Sequence, residues 1–174
     1  VADLFETHVF GPVTLMKAVL PAMRAPRQGT IINFSSIGAQ FYNPGSDYYS
    51  AAKMAQEGIT LTLKTEVESL GLRVMVIEPG AFRTDFAGRS LKGAKTEIDD
   101  YADTVGPRRK ANDRTDGTQP GDPARAARLI VETVREAEVA EAAAARQRCG
   151  HDRPQGTGGA ARGDQRGAGR ERRH

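Results

Sequence analysis

The chain has a single cysteine, Cys149, among its 174 residues. One thiol cannot close an internal disulfide, so a disulfide-stapled framework is excluded. No apolar run approaches the ~18 residues that a membrane-crossing helix needs, which excludes a helical membrane protein. The opening residues, Val1-Ala2-Asp3-Leu4-Phe5-Glu6, lack the basic start and apolar block of a secretory signal. With neither span nor signal, the expected location is the cytoplasm. An initiating methionine is also lacking, and the expectation is a fragment of a longer protein. Residues 146–174 contain no Val, Ile, Leu, Met, Phe, Trp or Tyr. Nothing there offsets the entropy of ordering a chain, so 146–174 is expected to be a disordered Arg/Gly-rich tail.

That tail also skews the charge. It holds eight arginines against Asp152, Asp164 and Glu171, so the net +3 divides into +5 in the tail and −2 before it. The basic balance therefore says little about residues 1–145, which are expected to form the folded part. Arginines attract phosphate on electrostatic grounds. The tail has no aromatic side chain on which bases could stack, so no nucleic-acid partner is expected.

Within the folded part, apolar residues recur at mostly three- and four-residue steps through Leu4, Phe5, Val9, Val13, Met16 and Leu20. This predicts an amphipathic helix, capped by Asp3 and reaching about Met23, with Pro21 expected to bend or end it. Thr30 to Ser35 is short, apolar and rich in β-branched residues, as a buried parallel strand should be. Gly38, Pro44 and Gly45 then mark a loop. A second helical pattern runs from Asp47 to about Leu70, with Gly71 placed to stop it, and Leu72 to Ile77 reads as a second buried strand. Strand, helix, strand in that order predicts a crossover unit of a parallel sheet. Residues 81–119 have no clean period, which suggests a functional loop such as a lid. Asp122-Pro123 predicts a further helix start. Two strands alone leave surface without partners, so Ile31, Ile32, Val74, Val76 and Ile77 are expected to be exposed on at least one side, with poor solubility.

Three features gather where the first strand ends and the next helix begins. Ser36 closes the strand. Tyr49 and Lys53, four residues apart on the helix, share one face. Open parallel sheets bind ligands in the crevice at the carboxyl ends of their strands. A nearby ammonium favours the charged form of a phenol, which suits general acid–base chemistry, and Ser36 can hold a substrate oxygen through its hydroxyl.

Ile31-Ile32-Asn33-Phe34-Ser35-Ser36, Tyr49-Ser50-Ala51-Ala52-Lys53 and Pro79-Gly80-Ala81-Phe82-Arg83-Thr84, in that order, resemble the short-chain dehydrogenase/reductase family. Ser36 lies thirteen residues before Tyr49, the family's own spacing. Tyr-x-x-x-Lys alone is common; the three segments together, each on its predicted element, are specific. The resemblance covers about residues 1–140. It implies an α/β fold, a Rossmann-like doubly wound parallel sheet of which only the C-terminal portion is present. It also implies an NAD(P)-dependent oxidoreductase that interconverts a carbonyl and an alcohol on a small molecule, with NADP or NAD as coenzyme. By the resemblance, Tyr49 is the general acid/base and Ser36 orients the carbonyl. Tyr49 and Lys53 also bind the coenzyme, Lys53 at the nicotinamide ribose, and Lys53 favours the Tyr49 phenolate. Pro79, Gly80, the backbone at Phe82 and the hydroxyl of Thr84 hold the nicotinamide end, and residues after Thr84 form the substrate lid. Relatives often associate through helices, so a homo-oligomer is expected.

The sequence departs from that pattern in places. The family's Thr-Gly-x-x-x-Gly-x-Gly phosphate turn does not occur. An inactive remnant unable to bind dinucleotide is therefore the alternative. His8 stands where the family usually has an asparagine whose main-chain carbonyl orders a water leading to the lysine. Gly156-Thr157-Gly158-Gly159-Ala160-Ala161 fits a dinucleotide fingerprint, but no strand precedes it and it is read as fortuitous. Cys149 and His151 are too few for a metal site. Glu66 and Glu68 read as a solvated helix face.

Overall fold

A computed structural model describes residues 1–94 and 96–151. Residues 1–134 form one compact unit and a second begins at Arg135. The first helical stretch opens with α1 (Ala2–Phe5), widens into a π-helical turn (Glu6–Phe10) and continues as α2 (Gly11–Arg24). Strand β1 (Gly29–Phe34) follows, then a 3₁₀ turn (Ile37–Ala39) and helix α3 (Asp47–Val67). A 3₁₀ turn (Glu68–Leu70) leads into β2 (Leu72–Ile77). Beyond β2 come α4 (Gly106–Thr115) and α5 (Pro123–His151).

Proline explains the π turn. Pro12 has no N–H for the carbonyl of His8, four residues back, and its ring crowds that carbonyl. The ladder accordingly widens there, and the Gly11 N–H reaches back five residues to the Glu6 carbonyl. The helix begins at Ala2, so Asp3 lies inside the first turn and makes no cap bond, contrary to its predicted role. Pro21 does not end α2, which continues to Arg24.

Strands β1 and β2 pair in parallel, Ile31 opposite Val74 and Asn33 opposite Val76. Among the described residues the sheet has these two strands alone. Period-two alternation puts Ile31, Asn33, Leu72, Val74 and Val76 on one face. Helix α2 packs on β1 and α3 on β2. Met16, Ile31, Val67, Leu72 and Val74 are buried together, ringed by Val13, Leu20, Met23, Leu63 and Leu70. Each aliphatic side chain fully buried in such a cluster stabilises the fold by about 1.5–3 kcal/mol.

The predicted exposure of strand residues is therefore corrected. Ile31 and Val74 are buried beneath α2 and α3, and Ile32, Val76 and Ile77 are half-buried. At the carboxyl end of β1 and in the turn after it, Phe34 and Ile37 are exposed.

Gly71 ends the α3 segment with φ +74°, and a Cβ there would meet the Arg27 carbonyl oxygen at 2.8 Å. Both the left-handed conformation and the close backbone approach require glycine. Asp122 caps α5, its Oδ1 accepting from the N–H groups of Ala124 at 2.9 Å and Arg125 at 3.2 Å. Those two bonds hold the Asp122 carboxyl below its ordinary pKa. Helix α5 continues to His151, past the predicted boundary at Arg146. Residues 152–174, with the Gly156–Ala161 fingerprint, lie outside the described residues, as do the side chains of Cys149 and His151. No described helix is long and apolar enough to cross a membrane. Glu66 and Glu68 are exposed.

Candidate active site

Backbone hydrogen bonds draw together the loops at the carboxyl ends of both strands. The Ser35 N–H donates to the Ile77 carbonyl at 2.7 Å and the Ile37 N–H to the Pro79 carbonyl at 3.1 Å. Ser36 is thereby fixed between them in extended backbone, and its Oγ accepts from the Gly38 N–H at 3.0 Å. The 3₁₀ turn that follows lies against α3.

Gly38 shows how closely the predicted residues approach. A Cβ on it would lie 3.1 Å from Cε1 of Tyr49 and 3.3 Å from Oγ of Ser36. The serine hydroxyl and the tyrosine ring thus flank one small space that only a glycine leaves open. The Tyr49 ring is half-buried, with His8 edge-on at a centroid distance of 5.7 Å and Phe86 tilted against it at 5.7 Å. Phe86 belongs to the segment read as a lid, so that segment touches the tyrosine.

Lys53 is buried one helical turn on. Its Nζ donates to the Phe34 carbonyl at 2.7 Å and to Gln56 Oε1 at 3.1 Å. An ammonium carries three N–H donors, so one is left for a further acceptor. Burial pushes the Lys53 pKa down, and the Glu57 carboxylate pulls part of it back up. His8 is shifted down from 6.5, first by burial and then by the Lys53 charge, so its imidazole is neutral at pH 7.

Past β2, the Gly121 N–H donates to the Ala81 carbonyl and the Arg83 N–H to the Gly121 carbonyl, each at 3.0 Å. That pairing uses the residues on either side of Phe82 and leaves the Phe82 N–H out of it. The Thr84 N–H donates to the Phe82 carbonyl at 2.9 Å, and Thr84 Oγ1 accepts from the Phe86 N–H at 3.3 Å while keeping its own proton to donate. Gly80 lies beside Ile37, whose Cδ1 would be 3.8 Å from a Cβ on it. Ser36, Tyr49, Lys53, Pro79 and Gly80 therefore share one end of the sheet. Phe82 and Thr84 follow along the same strand-end loop, joined to the tyrosine through Phe86.

Some contacts had no place in the motif reading. The Ser35 hydroxyl donates to Glu57 Oε1, and Gln40 Nε2 donates to Glu57 Oε2 at 3.1 Å. Asn33 Nδ2 donates to Thr60 Oγ1 at 2.8 Å, and Thr60 Oγ1 donates to the Gln56 carbonyl at 2.6 Å. The signal was present in the spacing: residues 49, 53, 56, 57 and 60 are all polar and lie on one helix face. No described group of His, Cys, Asp and Glu could hold a metal ion.

The chain is similar to known proteins. The short chain dehydrogenase family model matches residues 1–95. Oxidoreductase BOA17 of Botryotinia fuckeliana is 35% identical over 133 residues, which are 76% of this chain and 48% of that protein. A 3-ketodihydrosphingosine reductase of Bacteroides thetaiotaomicron is 42% identical over 100 residues, 57% of this chain and 37% of that one. The crystal structure of a short-chain dehydrogenase from Streptomyces avermitilis superposes with a TM-score of 0.66 at 43% identity, covering 77% of this chain and 48% of that chain. The chain thus spans about half, or less, of the length of these relatives. Its α/β parallel architecture, the order of its three motifs and a family match over more than half its residues agree, and the chain belongs to the short-chain dehydrogenase family.

Proposed function

We propose that this chain supplies the acid–base part of a site that interconverts a carbonyl and an alcohol with NAD or NADP. The observation that carries the reading is the convergence at Gly38, where the Ser36 hydroxyl and the Tyr49 ring meet on one side of the strand end. Ser36 donates to the substrate oxygen and orients it. Tyr49 passes its phenolic proton to that oxygen during reduction and takes it back during oxidation. Lys53, one turn further along the helix, brings a positive charge to the same helix face.

The nicotinamide end of the coenzyme fits the donors present. Lys53 has an N–H to spare for a ribose hydroxyl. The Phe82 N–H and the Thr84 hydroxyl suit a carboxamide, and Pro79-Gly80 sets the direction of that loop. When bound, the coenzyme supplies or accepts the hydride. Phe86, resting on the tyrosine, helps keep water from the reacting oxygen. The proposed substrate is a small carbonyl or alcohol, and like chains are proposed to associate through their helices.

The test is titration of the full chain with NADPH and NADH by fluorescence, then coenzyme oxidation with a panel of carbonyls. Saturable binding and carbonyl-dependent oxidation support the reading. No binding at millimolar coenzyme favours the alternative of an inactive chain that binds no dinucleotide.

A further inference from the structure

Helix–sheet contacts are usually apolar, yet α3 meets the carboxyl end of β1 through polar side chains. Lys53, Gln56, Glu57 and Thr60 are all buried there. Thr60, Lys53 and Glu57 engage Asn33, Phe34 and Ser35, the last two residues of β1 and the one after it, and Gln56 links Lys53 to Thr60. Glu57 holds a particular place among them. One carboxylate oxygen accepts from Ser35, immediately before Ser36; the other accepts from Gln40, just after the 3₁₀ turn that Ser36 starts. The carboxylate therefore bridges the two ends of the short segment that carries Ser36 and Gly38. Its own backbone lies one helical turn past Lys53 and two past Tyr49.

We propose that Glu57 is the positioning residue of this site, clamping the Ser36 turn to α3 at both ends so that the serine hydroxyl, the phenol and the ammonium stay in register. Neither end suffices alone. Ser35 fixes only the strand side and Gln40 only the far side, whereas the two oxygens of one buried carboxylate fix both to the helix that carries Tyr49 and Lys53. Its charge also acts on the ammonium. The groups around Lys53 are Tyr49, Gln56 and Glu57 on its own helix, His8 on the π-helical turn and the Phe34 carbonyl on β1. Of these, Glu57 is the anion, and it opposes the effect of burial on Lys53. A glutamine in its place keeps the size and can still accept one of the two hydrogen bonds, but it loses the charge. An alanine loses both bonds.

The inference rests on the proposed roles of Ser36, Tyr49 and Lys53, but its test does not need turnover. In the full chain, labelled at lysine Cε, NMR titration reads the Lys53 midpoint, assigned with Lys53→Arg. Amide hydrogen exchange reads residues 36–40. Glu57→Gln is expected to lower the Lys53 midpoint while the protein stays folded. Glu57→Ala is expected to speed exchange at 36–40 by about tenfold, from the loss of two side-chain hydrogen bonds, with Glu57→Gln in between. Gln40→Ala, which frees one end only, is expected to resemble Glu57→Gln in exchange and the parent protein in the lysine titration. If Glu57→Ala does not fold, Glu57→Gln and Gln40→Ala still decide. An unmoved Lys53 midpoint in Glu57→Gln, or unchanged exchange at 36–40 in both folded variants, overturns the clamp. Failure to bind coenzyme would leave these readouts intact and count against the functional reading alone.

Discussion

Gly38 offers a direct probe of the site, because a single methyl group there presses on both partners. Its backbone does not lie in the left-handed region, so alanine can adopt it without strain. The added Cβ would meet Tyr49 Cε1 at 3.1 Å, whereas ordinary contact begins near 3.4 Å, so the ring must retreat by about 0.3 Å, the difference of the two. Ser36 Oγ, at 3.3 Å, must move by far less, so the gap between hydroxyl and phenol opens. A misplacement of 1 Å can cost about a hundredfold in rate, and scaling its logarithm to 0.3 Å gives about fourfold. Stability should change little, since replacing glycine reduces the freedom of the unfolded chain by about 0.4–1 kcal/mol and offsets the local push. Gly58 is the matched control. It lies inside α3, where a Cβ would meet nothing within 4 Å. Gly58→Ala should stabilise by about 0.5–1 kcal/mol and leave turnover unchanged. The assay is carbonyl-dependent coenzyme oxidation alongside urea denaturation. Unaltered kcat in Gly38→Ala would refute the argument that this glycine sets the spacing of Ser36 and Tyr49.

Two further predictions concern stability. Gly71→Ala places a Cβ at φ +74° and 2.8 Å from the Arg27 carbonyl oxygen, so it should cost on the order of 1–3 kcal/mol in urea denaturation. A cost near zero would mean that the α3–β2 turn relaxes freely. His8 has its pKa lowered in the folded chain, so its contribution is complete above the unfolded value of 6.5 and is lost as pH falls from there toward the folded value. Denaturation midpoints measured from pH 7.5 down to pH 5 should therefore fall less steeply in His8→Asn than in the parent; parallel slopes would contradict the buried, neutral imidazole.

Much of the frame was legible because simple periodicities survive in it. The apolar, β-branched runs at 30–35 and 72–77 became β1 and β2 to within a residue. Gly71 stopped the α3 segment because only glycine suits that turn. Ser36, Tyr49 and Lys53 could be placed at a strand end and one helical turn apart from spacing, but the roles proposed for them needed all three segments together. Helix α4 was not legible: Gly106–Thr115 is polar almost throughout, so no apolar face marks it. The π-helical turn was missed although its cause, Pro12, was in view, because the effect of a proline falls on the residues before it. Glu57 was missed for a different reason. A glutamate on a helix ordinarily reads as solvated, as Glu66 and Glu68 are, and its burial depends on Ser35 and Gln40, which only the folded chain brings to it.

Tyr49→Phe removes one oxygen and leaves the ring to pack against His8 and Phe86. The central claim, that this phenol moves the proton, is tested most directly by comparing the parent and this variant in coenzyme oxidation with the same carbonyl. A phenol that moves the proton gives, on its removal, a loss of about 10²–10⁴-fold in kcat with coenzyme binding retained. Turnover equal to the parent's would contradict it.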